Sequence, residues 1–380
     1  MNEFVYQLAV LLTHIVGFVK LLAICFNREK FWGIMEDLKL MNDYWMKMGG
    51  NYKKRMEIAQ REVQKVITLF TLSAVTITIL MQSAAFFGIL LEDEIIFENV
   101  DGTCRSKLSV FSTILFETKS KMSCMWVWLY QTIQIILCCL IITAGDITFF
   151  SYLMYVTANV KALQEHFKDI RRIAKDKLKH TFSAIHDDLN DDDLYSSPGL
   201  IFVMEDEMKN CSKHLQWLIK KVEDVEDIYN FPILLQMLCA LFTLMSCLYV
   251  ATSVEIFSTP FLVEAEKYFI FTLQVAMYCL IGNKVEVAFS EIPNAIYHTS
   301  WYSVNNSFKK SMIINMIRLN KPIGLTVGKF TVLSLALLVK KPCAFGNYVV
   351  RRFPLIAFVY LKFGQETFLE KGLTVLNELT

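Results

Sequence analysis

Long apolar stretches constrain this chain more than any other feature of its sequence. They lie near residues 4–25, 66–91, 125–160, 229–252, 266–285 and 323–339. An α-helix rises about 1.5 Å per residue, so about 20 apolar residues cross a bilayer core roughly 30 Å thick. With 54% hydrophobic and only 20% charged residues over 380 positions, the chain is too apolar for an ordinary soluble protein. The sequence therefore predicts an all-α fold, a polytopic membrane helical bundle.

Helical patterns continue beyond these spans into polar sequence. Residues 27–65 are rich in lysine and arginine, and they carry an apolar stripe at helical spacing: Phe31, Met35, Leu38, Trp45 and Met48. This pattern predicts an amphipathic helix outside the bilayer that ends at Gly49, either lying on lipid headgroups or packed against neighbouring helices. The stretch 125–160 would be about 54 Å long as one helix, so we expect long cytosolic helix extensions.

One acidic residue, Asp146, falls within an apolar stretch. An ionised side chain at membrane depth is a buried functional group by default, whereas near the end of a span it reaches the interface. Because Asp146 is placed near the cytosolic end of its span, we interpret it as an interfacial residue.

The distribution of basic residues predicts the orientation of the spans. Lysines and arginines concentrate in 26–66, 161–228 and 283–322, whereas 92–124 is poorer in them and 253–266 has none. Cytosolic loops of membrane proteins carry the excess of basic residues. The three basic segments are therefore assigned to the cytosol, which places the N-terminus outside the cell.

The cysteines and histidines do not form the patterns of an enzyme. The ten cysteines contain no Cys-x-x-Cys spacing, and most of them are expected to pack as small hydrophobic residues. Cys104 and Cys124 are the pair that can form a disulfide in a loop. Four histidines are scattered in polar segments without metal-ligand or nucleophile spacing: His166, His180, His186 and His214. We expect no catalytic activity, cofactor, metal or nucleic-acid partner.

The block 300–335 combines features that point to a water-filled pathway. It contains a basic helix with Lys309 and Lys310, a break at Lys321-Pro322, and a short apolar segment punctuated by glycine and hydroxyl residues. Broken helices are tolerated at membrane depth only where they pack within protein or line water. The block therefore predicts a pore or another membrane pathway.

The same block resembles the last helix region of insect odorant receptors. The similarity lies in the Trp301-Tyr302 pair, the basic helix, the Lys-Pro step, and the pattern Thr-x-Gly-x-Phe-x-x-Leu-Ser-Leu from Thr326 to Leu335. The resemblance implies a seven-span subunit of a ligand-gated cation channel in the plasma membrane of olfactory sensory neurons. It also implies a hetero-oligomer, a tetramer with an obligate odorant co-receptor subunit, that binds volatile odorants.

Both ends of the chain depart from the resemblance. It implies a cytosolic N-terminus, whereas the charges place the N-terminus outside. Because residues 14–32 resemble the second helix of the family and its following loop, we expect a chain truncated before the usual first span. At the other end, Lys-Lys-Pro at 340–342 interrupts the apolar pattern. We divide the chain into an odorant-receptor-like transmembrane domain at 1–339 and a divergent C-terminal tail at 340–380, and expect poor conduction by this chain alone.

The resemblance implies that the last helix lines the pore. The helical spacing of residues in this segment indicates which side chains could face the pore. Residues three or four apart share a helix face, where apolar side chains gate by dewetting and hydroxyls hydrate a passing cation. The candidate pore-lining residues are Thr331, Ser334, Leu335, Leu338 and Val339. The same stripe also suits ordinary helix packing, in which small and hydroxyl residues are favoured.

A pocket for volatile odorants depends on shape and aromatic faces more than on charge. The candidate ligand-binding residues share a predicted position in the outer halves of the spans: Met81, Phe86, Phe87, Trp128, Tyr130, Gln131, Phe269 and Gln274. Any one of them is more often a core residue than a ligand contact, and their common depth is what makes the set a candidate. We predict that Tyr130→Ala or Phe87→Ala alters the ligand response without preventing assembly.

Three other classes of membrane protein fit the sequence less well. A G-protein-coupled receptor would carry Asp-Arg-Tyr and Asn-Pro-x-x-Tyr motifs, which are absent, and it would have the opposite orientation. A gustatory-type chemoreceptor shares the architecture, but the Thr-Tyr and Gln-Phe pattern of its last helix is missing. A transporter would show internal repeats of spans, and none is visible.

Overall fold

The computed structural model describes residues 2–91, 104, 108, 120–182, 198–251, 259–329 and 331–333. These residues form a helical bundle with one short β-hairpin. In chain order the elements are α1 (Asn2–Phe26), α2 (Arg28–Met48), α3 (Gly50–Leu90), α4 (Lys121–Phe182), α5 (Pro198–Ala251), α6 (Thr259–Ser290), α7 (Ile292–Tyr297), a 3-10 turn (Trp301–Ser303), α8 (Asn306–Leu319), β1 (Thr326–Val327) and β2 (Thr331–Val332).

Several helices are long and apolar enough to cross a membrane. Within the described ranges there are four of them: Gly50–Leu90, Lys121–Lys179, Pro198–Cys247 and Glu264–Tyr297. A fifth is counted if Leu11–Phe26 and Arg28–Met48, which meet at 77°, are taken as one bent span. Exposed leucines and isoleucines along α3, such as Leu69 and Ile79, give this helix an apolar outer face suited to lipid. The membrane part of the chain is therefore helical, as the hydropathy predicts.

Two helices extend far beyond the thickness of a bilayer. The 62 residues of α4 and the 54 residues of α5 correspond to about 93 and 81 Å of continuous helix. Their polar-flanked halves pack together and bury Leu163, Phe167, Met208, Leu215 and Leu218. The long helix extensions expected from the sequence are thus present, and they contain the most completely buried part of the core.

Helix α2 packs into this extramembrane core. Ile34, Leu38 and Trp45 on one face of α2 are buried. The Trp45 ring stacks between the rings of Tyr52 and His214, with centroid distances of 5.3 and 5.4 Å. Of the two alternatives left by the sequence for this amphipathic helix, packing against neighbouring helices is the one that the structure shows.

The last predicted span differs from expectation where the structure describes it. Instead of starting a helix at 323, residues Thr326–Val327 pair antiparallel with Thr331–Val332. β-branched residues favour strands over helices, and Gly328 and Lys329 both adopt positive φ at the turn, a conformation that ends a helix. The strands pack near Gly282, where a Cβ would collide with the Leu333 backbone oxygen. Residues 334–380, including the predicted tail, lie outside the described residues.

A disulfide marks one end of the bundle. Cys104 and Cys124 are bonded, with their Cα atoms 5.6 Å apart, and together with Leu108 and Ile89 they form a small buried cluster. Disulfides form and persist in oxidising compartments. The Cys104–Cys124 disulfide therefore suits the extracellular side, to which the distribution of basic residues assigns this end of the bundle.

Candidate functional site

A cavity of about 280 Å³ lies between α1, α3, α4, α5 and α6. Its lining is predominantly apolar and includes Val16, Ile77, Met81, Ile135, Ile142 and Phe269. Toward the disulfide end of the bundle it is bordered by Glu264 and Lys267, which form an ion pair with each other. A concave, mostly apolar site with a few polar groups is the usual form of a small-molecule pocket.

Hydroxyl groups on the cavity walls have a fixed hydrogen-bonding direction. Five of them donate to main-chain carbonyls of their own helices at 2.8–2.9 Å: Thr13, Ser73, Thr78, Thr243 and Ser246. A carbonyl oxygen accepts hydrogen bonds and cannot donate. Each of these five hydroxyls therefore donates its hydrogen to a backbone carbonyl, and its oxygen can still accept a hydrogen bond from a molecule in the cavity.

The inner end of the cavity is closed by a buried polar cluster, here called the polar floor. It consists of Lys20 on α1, Asp146 on α4, Gln236 on α5, and Gln274 and Tyr278 on α6. Lys20 pairs with Asp146 and donates to Gln236 Oε1 at 2.8 Å. Gln236 Nε2 donates to Gln274 Oε1 at 3.1 Å, and Gln274 Nε2 donates to Asp146 Oδ2 at 2.6 Å. The Tyr278 hydroxyl also donates to Asp146.

The position of Asp146 corrects its interpretation as an interfacial residue. Its side chain has 0% exposure, and four helices meet around it. Because Lys20 is also buried, the opposite charges compensate each other away from water, which is the condition under which buried charges are tolerated. The available sequence signal was the presence of one basic and one acidic residue within separate apolar stretches, which predicts an intramembrane pair.

The structure places only part of the predicted ligand set at the cavity. Met81, Phe269 and Gln274 line it. The other five residues lie elsewhere. The Phe86 ring packs against the Trp128 ring, with 5.0 Å between their centroids. Gln131 is buried but does not line the cavity. The side chains of Phe87 and Tyr130 are 55% and 70% exposed on the outer surface of the bundle.

The predicted pore residues fall largely beyond the described part of the chain. Thr331 belongs to β2, whereas Ser334, Leu335, Leu338 and Val339 lie outside the described residues. An open cavity beside the hairpin is lined by Glu286 and Asn283 of α6 together with Asn320 and Pro322. Across the described residues, no three His, Cys, Asp or Glu side chains are grouped so as to hold a metal ion.

Comparison with known proteins identifies similarity to insect odorant receptors. Residues 1–340 match the family model described as 7tm odorant receptor. Odorant receptor 94a of Drosophila melanogaster is 31% identical over 68 residues, 18% of each chain. The odorant receptor coreceptor of Harpegnathos saltator is 29% identical over 121 residues, which are 32% of this chain and 25% of the relative. The matched regions thus span a quarter or less of these relatives.

Solved structures show the same fold. The insect olfactory receptor OR5 from Machilis hrabei, in complex with eugenol, superposes with a TM-score of 0.65 over 94% of this chain and 82% of that one. Identity over this alignment is 11%, so the similarity concerns the fold alone. Because the family model covers nearly the whole chain, the multi-pass helical bundle described above belongs to the 7tm odorant receptor family.

Proposed function

We propose that this chain is an odorant receptor subunit that binds small, volatile, apolar molecules and forms a ligand-gated cation channel with an odorant co-receptor. The observation that carries the proposal is the mainly apolar cavity between five helices in a chain of this family. The OR5 receptor solved with eugenol supports binding of a small organic molecule within this fold. The working complex is a multi-pass tetramer in the plasma membrane of olfactory sensory neurons.

The dimensions of the cavity suit such a ligand. A volume of about 280 Å³ accommodates on the order of ten non-hydrogen atoms, because one water molecule occupies roughly 30 Å³ of liquid. Met81 and Phe269 offer a polarizable thioether and an aromatic face, and both groups make favourable contacts with apolar molecules. Of the original ligand set, we therefore retain Met81, Phe269 and Gln274 as proposed contacts.

Filling the cavity tests this function directly. Ile77 lines the cavity, whereas Ile79, two residues along α3, is exposed on the outer face of the helix. Ile77→Trp and Ile79→Trp therefore introduce the same side chain on opposite sides of α3. Both variants are expressed with an odorant co-receptor, and calcium influx is measured across a panel of neutral volatile molecules.

We expect Ile77→Trp to raise the half-maximal concentration of active ligands by about tenfold or more, because overpacking of about 1–3 kcal/mol opposes binding. Ile79→Trp should leave the response unchanged. Surface labelling confirms that both variants reach the membrane. Equal responses from the two variants would remove the cavity as the ligand site, and absence of any ligand-evoked current with the co-receptor would contradict the receptor function.

The surface of α8 supports the proposed association with another subunit. Ile313, Ile314 and Ile317 project from one face of this helix and are exposed, while Phe308 and Met312 on the other face are buried. Exposed apolar clusters commonly mark interfaces between proteins. We propose that this face contacts the co-receptor, a partner class supported by the similarity to odorant receptor coreceptors.

A charge introduced at this face tests the contact. Ile317→Glu should abolish co-purification with the co-receptor, because an unpaired carboxylate in an apolar interface costs several kcal/mol. Gln60→Glu adds the same charge at an exposed position of α3 and should leave co-purification intact. Retained co-purification in Ile317→Glu would exclude this face from the interface.

The proposed pore lining keeps Thr331, Ser334, Leu335, Leu338 and Val339. The family resemblance supports this assignment. Cysteine substitutions at these positions should react with charged thiol reagents when the receptor is open and present at the surface. Uniform lack of reaction under those conditions would place the lining elsewhere.

A further inference from the structure

Three buried aromatic side chains, here called the aromatic cluster, meet in the extramembrane core where α2, α3 and α4 pack together. Trp45, Tyr52 and His166 are 1%, 6% and 3% exposed. The ring centroids are 5.3 Å apart for Trp45 and Tyr52, 5.7 Å for Trp45 and His166, and 6.0 Å for Tyr52 and His166. One polar atom of each side chain has no hydrogen-bond partner among the described residues: Trp45 Nε1, the Tyr52 hydroxyl and His166 Nδ1.

Three such atoms in neighbouring side chains point to a shared partner. Burying a polar group without a hydrogen bond destabilises a fold, and roughly nine in ten buried polar groups are bonded to protein or to ordered water. The three residues come from three different helices, so one partner placed among them would satisfy all three helices at once.

The hydrogen on the His166 ring can be assigned from its other nitrogen. His166 Nε2 lies 3.1 Å from Glu207 Oε2. The hydrogen bonds from His166 and Lys177 hold the pKa of the Glu207 carboxyl below its usual value, so this group is ionised and can only accept. His166 Nε2 therefore carries a hydrogen. Because Lys177 pairs with Glu207 and balances its charge, the imidazole is assigned as neutral, which makes Nδ1 an acceptor.

The three atoms together require a partner that both accepts and donates. The Trp45 indole N–H only donates, and Nδ1 of a neutral His166 only accepts. Burial raises the pKa of the Tyr52 phenol, so its hydroxyl keeps its hydrogen and can act in either direction. A metal cation cannot accept from Trp45, and an anion without a hydrogen cannot donate to His166. The partner is therefore a neutral molecule with both capacities.

The spacing of the rings favours the smallest molecule of this kind, which is water. Two hydrogen bonds of about 2.9 Å span up to about 5.8 Å, a length comparable with the separations within the aromatic cluster. A larger polar molecule would have to separate rings that already contact one another. Internal waters typically make about three hydrogen bonds to buried polar groups, and the aromatic cluster offers three.

We propose that one internal water molecule binds in the aromatic cluster, where it accepts from Trp45 Nε1, donates to His166 Nδ1 and has the Tyr52 hydroxyl as its third partner. This water joins α2 and α3 to α4. The hydrogen bond between His166 and Glu207 extends the connection to α5. The site lies apart from the ligand cavity and does not depend on the proposed function.

The test determines whether the Trp45 indole is hydrogen-bonded in the full chain, reconstituted in lipid nanodiscs. In ultraviolet resonance Raman spectra, one indole ring mode falls in frequency when the N–H donates a hydrogen bond. Subtracting the spectrum of Trp45→Phe from that of the native chain isolates the Trp45 band. Trp128→Phe gives a matched bonded reference, because Trp128 Nε1 donates to the Gln82 main-chain oxygen at 3.2 Å. The unbonded reference is 3-methylindole in cyclohexane.

We expect the Trp45 band at the frequency of the Trp128 band or below it, and clearly below that of the unbonded reference. A high-resolution cryo-electron microscopy map of the native chain should show an isolated density peak within about 3.2 Å of both Trp45 Nε1 and His166 Nδ1.

A Trp45 band at the unbonded frequency would overturn the proposal. A bonded frequency without the density peak would also overturn it, because a protein group would then occupy the place assigned to water. The map requires no substitution, so it decides the question even where Trp45→Phe does not fold.

Discussion

The ion pair in the polar floor gives a quantitative test of how this bundle is held together. Lys20 and Asp146 lie on different helices and are both buried. We consider three variants: Lys20→Met, Asp146→Asn, and the two combined. Methionine keeps most of the apolar length of lysine, and asparagine keeps an oxygen that can accept from Gln274 and Tyr278.

The expected magnitudes follow from burial. Removing one partner of a buried pair leaves an uncompensated charge and costs about 3–5 kcal/mol. Each single variant should lose that amount. The double variant contains no unpaired charge, so its loss is limited to hydrogen bonds, about 1–2 kcal/mol. The two substitutions should therefore show a coupling energy on the order of 5 kcal/mol.

The assay is thermal unfolding in detergent at one fixed scan rate, since membrane proteins commonly unfold irreversibly and their Tm depends on the rate. Both single variants should melt several degrees below the native chain, and the double variant should recover most of the difference. Additive losses in the double variant would refute the reasoning, because they would show that Lys20 and Asp146 contribute independently. Losses below about 1 kcal/mol in both single variants would show that the pair is reached by water.

Three further predictions concern other parts of the fold. Trp45→Ala should cost about 3–5 kcal/mol in thermal unfolding, whereas Trp32→Ala should be nearly neutral, because the two side chains are 1% and 62% exposed. Cys104→Ser should cost about 2–4 kcal/mol, a difference that disappears when the native chain is measured in reductant. Gly282→Ala should lower Tm because the added Cβ overpacks against Leu333, while Gly145→Ala, where an added Cβ makes ordinary contacts, should not.

The membrane helices and their extensions could be predicted from the sequence because both depend on local patterns. The apolar stretch at 4–25 became α1, and the pattern through 125–160 became the continuous helix α4. The stripe containing Trp45 gave the buried face of α2. In each case the periodicity of apolar residues determines which face of the helix is buried. That periodicity can be read from one short stretch of sequence.

The binding cavity was only partly predictable because it depends on how distant helices meet. Met81 and Gln274 were selected by their depth in the membrane, and both line the cavity. The same criterion selected Tyr130, which faces outward, because depth does not determine the rotation of a helix about its own axis. Predicting that α1 residues such as Thr13 line the cavity requires knowing which helices are neighbours. A short stretch of sequence does not contain that information.

The hairpin shows a competition between two local preferences. Hydropathy favours a membrane helix from 323, and the β-branched residues with Gly328 favour a turn between strands. Tertiary contacts support the second outcome, because Asn230 donates to both the Thr326 carbonyl and its hydroxyl at 3.1 Å. If Thr326 were in a helix, its carbonyl would accept a backbone hydrogen bond within that helix instead of the one from Asn230. The long-range partner on α5 therefore determines the local structure.

Helix α5 links the candidate ligand cavity to this hairpin. Gln236 belongs to the polar floor, and Asn230, which holds Thr326, lies six residues earlier, about 9 Å along the helix axis. Pro232 lies between them inside the helix and cannot donate to the Ile228 carbonyl. The segment joining the two sites therefore has one backbone hydrogen bond fewer than an ordinary helix. The polar floor and the hairpin therefore share one structural element, and the turn at Pro232 is the part of it with the fewest backbone hydrogen bonds.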